Sequence, residues 1–280
     1  MKLILLFCIC FINATAWPQT QHGTILLVIG FKDGPVAVAA DSLAYGWNGD
    51  TYTVCKIATV GDKLIVAASG YTDRITHGKV DFSALASARE VFSRFPKKKV
   101  ATKNFGPQFI GAWNESLVDK INQQLNYRNS DITAYLPDDN LTSTIVVGVD
   151  EKGLVSTWST GLRYRSVGNR KVVFSMPVKT TTELPYEVHS GENDIADEAY
   201  HLTTPRGREW NHELWQGSAG LPVDQRSTYW ARQLIDLTLR YLPPKTFGVR
   251  QVTTVGGPID SVTIDRAGTI KWGDHKPECK

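Results

Sequence analysis

The chain has 280 residues, 42% of them hydrophobic and 21% charged, with a net charge of +3. It is long enough for one large core or two small ones, and this composition excludes a disordered or low-complexity protein. So small a net charge argues neither for nor against nucleic acid. The one basic run, Lys97-Lys98-Lys99 after Pro96, reads as a solvated loop, so no nucleic-acid partner is expected.

In chain order, residues 1–16 read as a secretory signal peptide. Lys2 supplies the positive start, Leu3 to Ile12 the apolar stretch, and Ala14-Thr15-Ala16 the small-residue cleavage site. The apolar stretch is too short to span a bilayer, and no later one approaches the roughly 20 residues required. The expectation is a secreted or periplasmic protein with no membrane contact after signal removal. Residues 17–23 form a short polar propeptide, and residues 24–280 read as a single domain without repeat or linker. Of four cysteines, Cys55 and Cys279 remain in the mature chain. They either pair, as an oxidising compartment allows, or stay as two distant thiols. Asn114-Glu115-Ser116 and Asn140-Leu141-Thr142 fit the glycosylation acceptor pattern.

The first strand covers Ile25 to Phe31, Asp33-Gly34 turns it, and Val36 to Ala40 returns into Asp41-Ser42. Both runs are apolar without alternation, which predicts strands covered on both faces. Pro35 stands at the start of the return strand, where a missing donor does least harm. A second hairpin follows, Val54 to Val60 and Lys63 to Ser69 around Gly61-Asp62. Apolar stripes predict helices over 82–94 and 113–125. Strands resume at 143–149, 154–157 and 163–167. The segment 185–225 is polar, rich in Trp, His and Glu, and reads as an insertion. An amphipathic helix over 228–242 stops at Pro243-Pro244, and strands at 261–264 and 269–272 close the chain. Helices in separate blocks between hairpin-linked strands predict an α+β fold with an antiparallel sandwich.

Three residues in this pattern could share one chemistry. A threonine hydroxyl is a weak nucleophile until a base takes its proton. If the chain is cut between Gly23 and Thr24, Thr24 gains a free α-amine, with a reference pKa of roughly 7.7–8.0, able to act as that base. A lysine cation nearby would favour the neutral amine, and a carboxylate would orient the lysine. The hairpin brings Asp41 opposite about residue 26, and the extra residue Pro35 slides it closer to Thr24. Lys56 begins the next strand alongside. Ser69-Gly70, ending the fourth strand, can present a backbone N–H to a developing oxyanion.

At these residues the chain resembles the proteasome-type N-terminal nucleophile hydrolases, as a secreted member similar to proteasome β-subunits. Gly23-Thr24 resembles the processing junction, with Thr24 the nucleophile. Phe31 to Gly34 through Ala39 to Ser42 resembles the signature strand, with Asp41 as partner of the lysine. Lys56 resembles the catalytic lysine, Lys63 to Asp73 the segment that supplies the oxyanion N–H, and Val255-Gly256-Gly257 the late glycine pair. The resemblance implies a four-layer αββα sandwich, two antiparallel sheets between helical layers. It also implies hydrolysis of a peptide or small amide after cleavage at Gly23-Thr24, and a possible homo-oligomer. It departs at Ile25, at Ser69 in place of a glycine, at Asn169 in place of a serine, and at Val252 and Val255 in place of an aspartate and a serine. These departures keep open an inactive protein of the same fold that serves as an assembly or binding module. No cofactor and no metal are expected: His212-Glu213 lacks the second histidine of a zinc-protease helix, and His189, His201 and His212 share no ligand spacing. Trp210, Trp215 and Trp230 read as packing for the insertion.

Overall fold

A computed structural model describes residues 24–45, 51–76, 79–96, 105–127, 140–150, 152–168, 170–182, 186–191, 194–243, 245–247, 250–252, 255–276 and 279. Residues 1–23, expected from sequence to be signal and propeptide and including Gly23, lie outside the described residues, as do the basic run at 97–99 and Asn169. The first half of the chain runs β1 (Ile25–Gly30), β2 (Val36–Ala40), β3 (Leu43–Tyr45), β4 (Thr51–Thr53), β5 (Ile57–Val60), β6 (Leu64–Gly70), β7 (Asp73–Thr76) and β8 (Lys79–Ser83). Helices α1 (Ala84–Arg94) and α2 (Phe105–Tyr127) follow. The second half runs β9 (Thr142–Val149), β10 (Val155–Val167), β11 (Arg170–Ser175), β12 (Lys179–Thr181) and β13 (Tyr186–Gly191). Then come α3 (Asp194–His201), α4 (Pro205–Ala219), α5 (Val223–Tyr241), β14 (Lys245–Phe247), β15 (Arg250–Val252), β16 (Asp260–Ile264) and β17 (Ile270–Trp272).

Two antiparallel sheets carry the fold. One has the order β13-β1-β2-β16-β17; the other has the order β11-β10-β9-β6-β5, with β12 also on β10. Side-chain alternation explains why their strands are apolar throughout. In β1, Leu26 and Val28 face the second sheet, where they meet Ile57, Ile65, Ala67, Ile145 and Val147. Ile25, Leu27 and Ile29 face the other way, onto Leu234, Ile235 and Trp230 of α5. The second sheet repeats the logic: Val66, Ala68 and Val146 pack under α1 and α2. Three apolar clusters between helix, sheet, sheet and helix make the predicted αββα sandwich, with α3 to α5 on one side and α1 and α2 on the other.

Several elements differ from the sequence expectation for identifiable reasons. Helix α2 starts at Phe105, because Phe105, Phe109, Trp113, Leu117 and Ile121 form one buried stripe at four-residue spacing. Pro107 falls in its first turn, where no donor is missed. Strand β10 is one continuous run, and Gly161, which reads as a break, lies inside it and abuts the Asn140 side chain. The segment 185–225 supplies the edge strand β13, which pairs with β1 along its whole length, and helices of the outer layer. Trp210 and Trp230 are buried there while Trp215 is half exposed. Asn114 is fully buried, donating to the Ile110 carbonyl and accepting from Thr144. That acceptor site is closed to a glycan; Asn140 is exposed. Among the described residues no helix is long and apolar enough to cross a membrane.

Cys55 and Cys279 form a disulfide with Cα atoms 5.3 Å apart, across 224 residues of sequence. A cross-link closing so long a loop removes much of the unfolded chain's freedom. Cys279→Ser is expected to lower unfolding stability by about 2–5 kcal/mol, read as a shift of the urea midpoint. An unchanged midpoint would show that the bridge adds nothing beyond the core.

Candidate active site

The strand ends that matter meet at one end of the sandwich. Leu26 pairs with Ala40 and Ile25 with Gly191, so the start of β1 lies between the end of β2 and the end of β13. The hairpin register puts Asp41 opposite Ile25, one residue nearer Thr24 than a turn centred on Asp33-Gly34 would give. The backbone amide of Asp41 donates to the Ile25 carbonyl at 3.2 Å. Thr24 itself is buried, at 4% exposure.

Asp41 is the hub. Its Oδ1 accepts from the Ile25 amide at 2.9 Å and from Lys56 Nζ at 2.8 Å, and its Oδ2 accepts from the Gly256 amide at 3.0 Å. The carboxylate and the ammonium are 0% and 2% exposed. Burial pushes the Asp41 carboxyl above its usual range, against the opposing pull of Lys56. Burial likewise pushes the Lys56 ammonium down, against the opposing pull of Asp41. Burial thus works against the attraction that holds the two charges, so Lys56 gives up its proton more readily than a lysine in water.

The residues before Lys56 are held one by one. Val54 donates its amide to the Ser42 carbonyl and accepts at its own carbonyl from Lys276 Nζ, 3.0 Å away. Cys55 is bonded to Cys279. Lys276 also reaches Asp260 Oδ2 at 2.5 Å, a second, part-buried pair. Sequence reasoning missed Lys276 and Asp260, since they come from the far end of the chain. It also left Asp73 unassigned. That carboxyl is pushed up by burial, its charge acts on Lys56, and its Oδ2 is buried with no hydrogen-bond partner.

Ser69 and Gly70 end β6. Ser69 Oγ is 2.5 Å from Ser190 Oγ of β13, a direct link between the sheets next to the start of β1. Gly70 has φ +82, and a Cβ there would stand 2.5 Å from the Leu141 carbonyl oxygen. The late glycines lie against the turn after Asp41: the Gly256 carbonyl accepts from the amides of Ser42 and Leu43. Val255 points into the apolar cluster under α5 and is 1% exposed. Val252 lies in β15, and the structure describes its backbone only.

The most demanding contact is one the sequence reading did not single out. Gly191 has φ +95, and a Cβ on it would fall 1.7 Å from the Thr24 carbonyl oxygen. No side chain fits, and L-residues disfavour that backbone region. Glycine at this position is what lets β13 close against Thr24.

With this geometry in view, the comparisons can be placed. No family model matches the chain, and no curated protein does. Among the solved structures similar to it are two Anbu proteins. The Anbu (Gly-1) mutant from Hyphomicrobium sp. strain MC1 is 14% identical, with 91% of this chain and 86% of that chain covered and a TM-score of 0.52. Anbu from Yersinia bercovieri, described as an ancestral beta-subunit, is 14% identical, with 89% and 86% covered and a TM-score of 0.51. At this identity the likeness shows the fold alone. It corrects the resemblance drawn from sequence. The two similar structures named above are Anbu, and neither a family model nor a curated relative supports a secreted member of the proteasome-type hydrolases, so that membership is withdrawn.

Gly191→Ala is expected to destabilise the protein by about 2 kcal/mol or more, through the close contact and the positive φ together. Thermal unfolding checks it: an unchanged melting temperature would mean that β13 does not sit against Thr24.

Proposed function

We propose that the chain is a threonine-nucleophile amide hydrolase, activated by cleavage at Gly23-Thr24. The observation that carries this reading is the buried Lys56–Asp41 pair bonded to the amide of Ile25, the residue that follows Thr24. Burying two charges costs more than a surface pair returns, and such a pair is weak evidence for stability. A shifted lysine joined through Asp41 to the amide of the residue after a buried threonine fits proton transfer better.

In this reading the freed α-amine takes the Thr24 hydroxyl proton as the oxygen attacks the amide carbonyl. The oxyanion forms against the N–H groups at the end of β6, near Ser69 and Gly70. Collapse of the intermediate breaks the C–N bond, and the ammonium returns the proton to the leaving amine. Water then cleaves the ester on Thr24. Lys56 favours the neutral amine and Asp41 holds Lys56 in place. The substrate would be a peptide or small amide, and a homo-oligomer is compatible with the resemblance in fold. The disulfide supports work in an oxidising compartment.

A second reading has its own observation. Val255, next to the Gly256 amide that Asp41 holds, is buried in the apolar cluster under α5 and offers no polar group, and the Ser69 hydroxyl is engaged with Ser190. Both suit an inactive protein of this fold that serves as an assembly or binding module.

Intact mass separates the two. The enzyme reading expects a mature chain starting at Thr24 and turnover of a fluorogenic amide that Thr24→Ala abolishes. A chain starting at Trp17, with Thr24 still acylated, removes the base and leaves the module reading. In the active protein Lys56→Met is expected to lower kcat on the order of 10²–10⁴-fold, with KM little changed. Full activity in that variant would exclude Lys56 from proton transfer.

A further inference from the structure

Away from Thr24, on the helix-facing side of the first sheet, lies a group of side chains that the proposed reaction does not use. Glu187 and His189 are two residues apart on β13, so they share a face. They pair with Ile29 and Leu27, which point toward the outer helices. Asp197 and His201 are four apart on α3, so they too share a face. Asp197 Oδ1 is 2.9 Å from His189 Nδ1, Glu187 Oε1 is 3.7 Å from the same nitrogen, and Glu187 Oε2 is 3.6 Å from His201 Nε2. One ligand atom each from Glu187, Asp197 and His201 lies within 4.8 Å of the others.

Glu187 gives the group its meaning. Its side chain is 1% exposed, and neither carboxylate oxygen has a hydrogen-bond partner. A buried carboxylate lacking hydrogen bonds is held at a cost unless a cation meets it. The Nδ1 of His189 is buried without a hydrogen bond as well. Imidazoles bind metal in their neutral form, so the two carboxylates would set a charge of minus two against one divalent cation. Tetrahedral coordination with bonds of about 2.0–2.2 Å puts ligand atoms about 3.4 Å apart, close to the separations found. Mixed nitrogen and oxygen ligands suit zinc-class transition ions, whereas magnesium and calcium favour oxygen alone.

We propose that Glu187, Asp197 and His201, with His189 as fourth ligand or direct support, bind one zinc-class divalent cation that ties β13 to α3. His201 is 54% exposed, so the ion can enter from solvent. The tie would hold the strand that carries Ser190 and Gly191 against Ser69 and Thr24. Sequence spacing hid the site, because the ligands come as Glu-x-His on a strand and Asp-x-x-x-His on a helix, with neither pair sufficient alone.

The test is a titration of the full, disulfide-intact, chelator-treated protein with Zn²⁺ by calorimetry, with melting temperature in parallel and Co²⁺ absorption as a probe of geometry. The proposal expects one Zn²⁺ per chain, a raised melting temperature and a tetrahedral Co²⁺ spectrum. His201→Ala should fold as the parent does without metal, bind about 10-fold or more weakly, and lose the melting shift. Glu187→Gln should do the same, and His212→Ala, outside the group, should change nothing. Should Glu187→Gln fail to fold, His201→Ala decides alone. Absent binding, an unmoved melting temperature, or equal binding by the parent and His201→Ala each overturns the site; the cluster is then held by protonated histidine.

Discussion

The ion pair between Asp41 and Lys56 is the constraint around which one end of this sandwich is organised. A buried carboxylate must satisfy several lone pairs, and Asp41 does so with partners from three separate stretches: the Ile25 amide, Lys56 and the Gly256 amide. Each partner is thereby fixed relative to the others. The start of β1, the approach to β5 and the loop before β16 lie far apart in sequence, Gly256 being 215 residues from Asp41 itself. They nevertheless meet at one side chain. Removing either charge would strand the other in a dry interior, which is why such pairs are costly to break even when they add little net stability.

The surrounding fold makes that dryness possible. Strands β1 and β2 are buried on both faces, because one face meets the second sheet and the other meets α5. A two-layer fold would leave one of those faces wet and would solvate Asp41 from that side. The fourth layer does the same for β6, whose Val66 and Ala68 sit beneath α1 and α2. Low local polarity strengthens the attraction within the pair and raises the cost of a missing partner. The departures of Lys56 and Asp41 from their usual ionisation follow from the layering.

The parts legible in the sequence were those written in local pattern. Unalternating apolar runs around Asp33-Gly34 identified doubly covered strands, and the extra Pro35 gave the register that sets Asp41 against Ile25. Helix α1 followed from its stripe. What stayed hidden was non-local or polar. Gly191 matters only because β13 closes on Thr24, some 167 positions earlier by number, and nothing nearby in sequence marks it. Lys276 and Asp260 support residue 54 from the last strands. Helices α3 and α4 are short and half exposed, so their stripes are interrupted by Trp, His and Glu. The grouping of Glu187, Asp197 and His201 was not legible in sequence because spacing compares ligands along one element, while these residues are joined only where β13 and α3 pack.

The C-terminal tail bears on how the site endures. Val54, Cys55 and Lys56 are consecutive, and each is bound by a different agent: a lysine, a disulfide and a carboxylate. Two of the three agents, Lys276 and Cys279, follow β17 and are held by no strand pairing, so the segment that carries them opens more easily than a sheet does. Such opening would release the Val54 carbonyl and let water reach Lys56 from behind. Reconnecting the tail through a covalent bond makes local opening there more costly than it is for a segment held by packing alone. The disulfide thus protects the ionisation of Lys56 as much as it stabilises the fold, because a solvated Lys56 would recover the ordinary affinity of an ammonium for its proton.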